Sequence, residues 1–429
     1  MAKGLIIAAT QSGSGKTLLT TALLGALKER GMKVASAKTG PDYIDGQVHG
    51  LATGQSAINL DPWAMSQSRQ RSLLSQQASG QDLVLVEGVM GLFDGSASGK
   101  GSTADLAKNL QLPVVLVVDC GSMAQSIAAL VYGFQNLRTD IDVAGVILNR
   151  VASDKHEKML KSALAKLDIE VLGALRRNAE LDIPSRHLGL TLPEDFAKSR
   201  TVAALAISEV KKRLDLDGLL QLAKPILATQ SGPKLAPLGQ NIAIASDAAF
   251  AFLYPHLLAD WQVQGAQLHF FSPLADEAPA DDADAVFLPG GYPELHGALL
   301  ANAQHFKQGM HQAAERNALI YGECGGYMVL GESLTDKSGN SFEMTGLLPL
   351  QTAINRPRRQ LGYRRLSHKS ILPWPSDLLG HEFHYSTELK REGDALFRAS
   401  DAEANAVGQM GLHHNRILGS YAHIIDVRE

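Results

Sequence analysis

The chain has 429 residues, 45% of them hydrophobic and 20% charged, with 40 glycines and a formal net charge of −4. That length exceeds the roughly 250–300 residues over which one hydrophobic core grows, so two α/β domains with many tight turns are expected. The acidic balance leaves no basic footprint for nucleic acid, two cysteines cannot build a disulfide framework, and no apolar run approaches the ~18 residues of a membrane span. The start MAKGLIIAAT lacks the apolar core and cleavage site of a signal peptide, so a cytoplasmic setting is expected.

The first stretch with chemical content is Thr10–Thr17 (TQSGSGKT), between the apolar run Leu5–Ala9 and a segment whose Leu18, Leu19, Ala22, Leu23, Ala26 and Leu27 share one helical face. Strand, glycine-rich turn and helix start are the parts of a phosphate site. Gly13 and Gly15 let backbone N–H groups close on a polyphosphate, Lys16 neutralises charge, and the Thr17 hydroxyl can reach Mg²⁺. The first glycine of the usual pattern is replaced by Thr10, so this is a variant of the motif.

Further short apolar strands each run into polar residues. Residues 33–37 lead to Lys38 and the segment GPDYID with Asp42 and Asp45, and 83–86 lead to Glu87, with Asp94 shortly after. Residues 114–118 end at Asp119, and 143–148 end at Asn149. Nearly continuous apolar strands alternating with helices predict a parallel sheet covered on both faces, and ligands bind beyond the carboxyl ends of such strands. Lys16, Thr17, Lys38, Asp42, Asp45, Glu87, Asp94 and Asn149 are therefore expected in one crevice. Thr17, Asp45 and Glu87 offer hard oxygens for Mg²⁺, and Lys16 and Lys38 offer charge for phosphoryl transfer from ATP. Taken alone, Asp42 and Asp94 are as readily helix-cap or turn residues.

Arg186 and His187, in the loop IPSRHLGL, could receive substrate carboxylates. Residues 225–240, rich in proline and glycine, read as a linker between a domain at 1–224 and a second α/β domain at 241–429. In the second, a strand ending in Gly290-Gly291-Tyr292-Pro293-Glu294 precedes residues 318–321 and Gly322-Glu323-Cys324-Gly325-Gly326. A cysteine between glycines at a strand-to-helix turn has the nucleophile-elbow pattern, making Cys324 the candidate nucleophile. His423 in the last strand is the candidate base, with His381, His384, His413 and His414 competing.

The motifs GGYPE, YGECGGYM, GHEFHYS and GSYAH resemble the class I glutamine amidotransferase domain of the cobalamin-pathway amide synthases. Residues 9–17, GPDYID, VEGVMGLFDG and SRHLGL resemble the ATP domain of the cobyrinic acid a,c-diamide synthase family, and the match runs in family order over nearly the whole chain. The resemblance implies glutamine hydrolysis at Cys324 with His423 as base, and ATP activation of the a and c acetates of a corrinoid as acyl phosphates. It further implies oxyanion-hole N–H groups at Gly291 and Gly325, Mg²⁺ ligands at Thr17, Asp45 and Glu87, adenine reading by Asn149, and substrate contacts at Arg186 and His187. A homodimer is compatible with it.

Three positions depart from the family pattern: Gly46 replaces a proline, Ile425 stands where a triad glutamate would follow the histidine by two, and a second histidine near that end is missing. A Cys–His dyad is therefore expected. Two rivals share parts of the pattern: a nucleotide switch, which does not account for the Cys324 elbow, and a cobyric acid synthase, against which GPDYID and RHLGL speak.

Overall fold

The computed structural model describes residues 1–181, 193–229, 232, 234–356 and 358–427, with side chains described throughout these except at 193–199. The chain divides into two compact units, residues 1–232 and 233–429. Among the described residues no helix is long and apolar enough to cross a membrane.

The first unit is a doubly wound sheet. Its strands are β1 (Lys3–Ala9), β2 (Val34–Thr39), β3 (Ile58–Leu60), β4 (Leu83–Glu87), β5 (Val114–Asp119), β6 (Val143–Val151) and β7 (Glu170–Arg176). They lie in the order β3-β2-β4-β1-β5-β6-β7, all parallel, and the short β8 (Lys224–Pro225) pairs antiparallel with the start of β1. Residues in the middle of β1, β4 and β5 are buried on both faces, which is why these strands read as unbroken apolar runs. Each fully buried Leu, Ile or Val contributes about 1.5–3 kcal/mol, so the central strands form a rigid floor for the loops at their carboxyl ends. The order of winding reverses beside β1, and the crevice opens there. Helix α1 (Lys16–Glu29) starts in it and helix α2 (Tyr43–Thr53) follows β2.

The second unit carries the mostly parallel sheet expected at its start, and an antiparallel sheet and a mixed four-stranded sheet that the apolar runs did not announce. β9 (Asn241–Ala245), β10 (Gln267–Phe271), β11 (Ala285–Leu288) and β12 (Leu319–Glu323) join Ile417–Ser420 and Leu412–His414 in the order β10-β9-β11-β12, then 417–420, then 412–414. A five-stranded antiparallel sheet includes Gln360–Ser367, Asp377–His384 and Ala422–Val427. Phe250, Phe306, Met310 and Tyr327 fill the core of this unit. The 225–240 stretch is partly packed: Ile226, Leu235 and Leu238 are buried, and Trp374 donates its indole N–H to the carbonyl of Ala236 at 2.9 Å.

Candidate active sites

In the first unit the phosphate loop closes over the end of β1. Gly13 and Gly15 have φ of 75° and 85°, the left-handed region that a side chain strains. Lys16 Nζ reaches across to the carbonyl of Met90 at 2.6 Å, and burial lowers its pKa despite the nearby charge of Glu87. Beside it the sheet register sets Lys38 of β2 opposite Glu87 of β4. Lys38 Nζ donates to Asp45 Oδ2 at 2.7 Å, to Glu87 Oε1 at 2.9 Å and to the carbonyl of Gly88 at 3.2 Å. Thr17 donates to the same Glu87 oxygen at 2.7 Å, and His49 Nε2 lies 2.5 Å from Glu87 Oε2. Both Lys38 and Glu87 are buried.

A charge taken out of water persists only when it is paired. Burial alone would discharge both groups. Instead Glu87 and Asp45 together outweigh burial and hold Lys38 firmly protonated, and for Glu87 the opposing pull of Lys38 and His49 together outweighs burial, so its pKa is lowered. An ionised cluster of this kind fits a divalent cation: hydroxyl and carboxylate oxygens are the hard ligands Mg²⁺ takes, usually one or two carboxylates with phosphate supplying the rest. Among the described residues there is no group of three or more His, Cys, Asp or Glu placed to grip a metal by itself.

Asp42 caps α2, accepting the N–H groups of Ile44 and Asp45 at 2.9 and 3.0 Å, and burial followed by the charge of Asp45 raises its pKa. Asp94 accepts the N–H of Gly91 at 2.8 Å. These are the cap and turn roles that short acids fill locally, and they also hold the loops that line the crevice. Asn149 donates to the carbonyl of Ser14 at 2.8 Å and borders a cavity of about 590 Å³ lined by Gln11, Gly15, Asn149, Arg150, Arg176 and Asn178. Its place beside the phosphate loop and its size suit a nucleoside. Arg186 and His187 lie outside the described residues.

We expect Glu87→Gln to show the weight of the ionic cluster. The amide keeps the size and loses the charge, and Asp45 remains to pair Lys38, so the stability loss should sit at the low end for a broken buried pair, about 3 kcal/mol. Denaturant midpoints measure this, with the Mg²⁺ requirement of turnover as a second readout. An unchanged midpoint and an unchanged requirement would remove Glu87 from both roles.

In the second unit Cys324 sits between β12 and the short helix Gly325–Leu330 with φ 49° and ψ −107°, a strained elbow for a residue with a side chain. Burial, and after it the charge of Glu294, raises its thiol pKa, so the resting sulfur keeps its proton and needs a base. His423 is that neighbour. A Cβ added to Gly290 would lie 2.3 Å from His423 Cε1, 3.2 Å from His423 Nε2 and 3.2 Å from Cys324 Cβ, so only a glycine lets ring and nucleophile approach there. Burial, helped by His381 and His384, lowers the imidazole pKa to about 3, which leaves it neutral and able to accept a proton. The space of a Gly325 Cβ lies 3.0 Å from the backbone nitrogen of Gly291, placing the two expected oxyanion donors side by side.

The competing histidines have other partners. His381 pairs in register with His423, and His384 stacks on Tyr421 at 3.7 Å with Nε2 2.8 Å from Glu382. His413 and His414 lie on the 412–414 strand beside a separate cavity of about 160 Å³. Phe383 of the GHEFHYS segment presents its carbonyl 3.8 Å from Cys324 Sγ. Two residues went unread in the sequence: His49, seven positions beyond Asp42 on α2, and Glu323, whose Oε2 is 3.7 Å from His423 Nδ1. The one available signal for each was an ionisable side chain in a segment that the pattern buries.

Residues 5–190 match the CobQ/CobB/MinD/ParA nucleotide binding domain, and residues 241–428 match the CobB/CobQ-like glutamine amidotransferase domain. The chain is 50% identical over 430 residues to a hydrogenobyrinate a,c-diamide synthase of Brucella anthropi, covering 99% of this chain and 98% of that one. It is 49% identical over 429 residues to the protein so named in Brucella abortus, with the same two coverages. The protein so named in Rhodobacter capsulatus is 45% identical over 430 residues, again at 99% and 98%.

Proposed function

Because the chain belongs to the hydrogenobyrinate a,c-diamide synthase family, as an ATP-dependent amide ligase of cobalamin biosynthesis, we propose that it converts the a and c acetate carboxylates of hydrogenobyrinic acid to amides. The observation that supports this best is the occurrence of two unlike sites in one chain: a phosphate loop over a buried ionic cluster, and an elbow cysteine with a neutral histidine. A nucleotide switch has no use for the second site. The curated relatives' shared name favours the cobalt-free tetrapyrrole over cobyrinic acid.

At the glutaminase site the Cys324 proton passes to His423 Nε2 as the sulfur attacks the amide carbon of glutamine. The backbone N–H groups of Gly291 and Gly325 receive the oxyanion, and ammonia leaves carrying the proton that His423 returns. Water then hydrolyses the thioester, releasing glutamate and restoring the thiol. At the ATP site the loop amides and Lys16 hold the polyphosphate while a substrate carboxylate oxygen takes the γ-phosphoryl group and ADP departs. Ammonia attacks the acyl carbon and phosphate leaves. Mg²⁺, when bound through Thr17, Asp45 and Glu87, would supply charge neutralisation between the phosphates. Asn149 serves the adenine side, and Arg186 and His187 are proposed to meet other carboxylates of the macrocycle.

Incubation with ATP, Mg²⁺ and glutamine, once with hydrogenobyrinate and once with cobyrinate, tests the substrate assignment by product mass. Two amide substitutions on the cobalt-free ring at the higher kcat/KM are expected. Equal or better use of the cobalt ring would overturn that choice, and amidation of propionate side chains would favour a cobyric acid synthase.

A further inference from the structure

Glu323 has no part in a Cys–His dyad, yet it stands against its histidine. It directly precedes the nucleophile at the end of β12 and is 2% exposed. Its Oε2 lies 3.7 Å from His423 Nδ1, and its Oε1 accepts the backbone N–H of Ile424 at 3.1 Å. The carboxyl group is thus tied to the strand that carries the ring. The register explains how: β12 runs parallel to Ile417–Ser420 with Glu323 opposite Ser420, and the chain continues directly into Ala422–Val427. Ile425, fully buried, occupies the position from which a carboxylate two residues after the histidine would act.

Resting on the reading of Cys324 and His423 as nucleophile and base, we propose that Glu323 is the positioning residue of this centre. It holds the Nδ1–H tautomer of His423, so that Nε2 offers its lone pair to the Cys324 thiol, and it balances the imidazolium that forms when the proton arrives. Atoms and charge balance: the proton leaves Sγ for Nε2, the sulfur pair forms the bond to the amide carbon, and the proton departs with ammonia. Glu323 itself exchanges nothing. The same arrangement, a buried carboxylate behind an imidazole, governs tautomer and orientation in other nucleophilic triads.

Burial raises the Glu323 pKa to about 8, opposed by the Ile424 N–H and by Tyr321. The titratable groups facing the pair are Tyr321 from β12, Cys324 from the elbow, and His381 and His384 from Asp377–His384, while Glu294 and Glu382 act on the thiol. A protonated Glu323 can donate to Nδ1 and so fix the wrong tautomer. Ionisation of Glu323 therefore switches the base on, and glutamine-dependent kcat should climb as pH rises through the region of 8.

Glu323→Gln tests this. Glutamine-dependent kcat should fall on the order of 10²–10⁴-fold, with glutamine KM nearly constant and the alkaline climb gone. Synthesis from ammonium and ATP should persist, and Glu323→Asp, which restores the charge, should recover part of the kcat. Cys324→Ser is the companion variant: if it retains glutamine-dependent synthesis, the nucleophile reading itself has failed. If it loses that activity while Glu323→Gln keeps the parental kcat and pH profile, or loses ammonium-dependent synthesis equally, only the Glu323 assignment is overturned.

Discussion

Lys16→Ala should abolish ATP-dependent amidation while glutamine hydrolysis continues at least in part. The reason is electrostatic. The ammonium lies buried at the start of α1, 2.6 Å from the Met90 carbonyl and within the field of Glu87, Asp45 and Asp94. Removing it leaves those acids facing a polyphosphate with only Lys38 on their side, and Lys38 is already committed to Asp45 and Glu87. One preorganised donor in a water-poor site contributes about 10²–10³-fold to turnover, so a fall of at least that size in amidation kcat is expected. On the proposed reading, glutaminase activity belongs to the other unit's Cys324 and His423, which this substitution leaves chemically unchanged. Near-parental amidation by the variant would mean that the TQSGSGKT loop does not hold the nucleotide.

Much of this fold can be read from strands that are apolar without a break, because parallel strands buried on both faces cannot alternate. Leu5–Ala9, Leu83–Val86 and Val114–Val118 are such runs, and each lies in β1, β4 or β5. The phosphate loop and the elbow are equally legible, since GSGK and ECGG need glycines or a left-handed turn at fixed offsets. The strands between residues 333 and 410 were not anticipated: they are short, mostly antiparallel and half exposed, with patterns such as QLGYRRLS and TELKR that alternate too briefly to stand out. The ionic partners were legible only as residue types. Lys38 meets Glu87 through the pairing of β2 with β4, and His49 reaches the same carboxylate from α2. The contact of Glu323 with His423 likewise depends on a register between segments about a hundred residues apart. Such pairings are set by the whole sheet and leave no local mark.

Cys324→Ser should lose glutamine-dependent synthesis by at least about 10³-fold, because a hydroxyl is a far poorer nucleophile than a thiolate and its partner base is a weakly basic buried imidazole. The elbow geometry itself should survive, since serine differs from cysteine by one atom at a residue whose φ of 49° is imposed by its neighbours. On the proposed mechanism the ATP site needs only ammonia, whatever its source. Its carboxylate-activating step should therefore run unimpaired in the variant once free ammonia is abundant, at alkaline pH with ammonium salt.

The most direct measurement of the two-site account is the mass of the tetrapyrrole formed by the Cys324→Ser enzyme from ATP, Mg²⁺ and heavy-nitrogen ammonium, alongside the parent enzyme given glutamine labelled at its amide. Two heavy amide nitrogens per product are predicted in both reactions, with ADP formed in step, and none from the variant given labelled glutamine. Full glutamine-dependent product from the variant, or no amide from either enzyme under any nitrogen supply, would contradict the account.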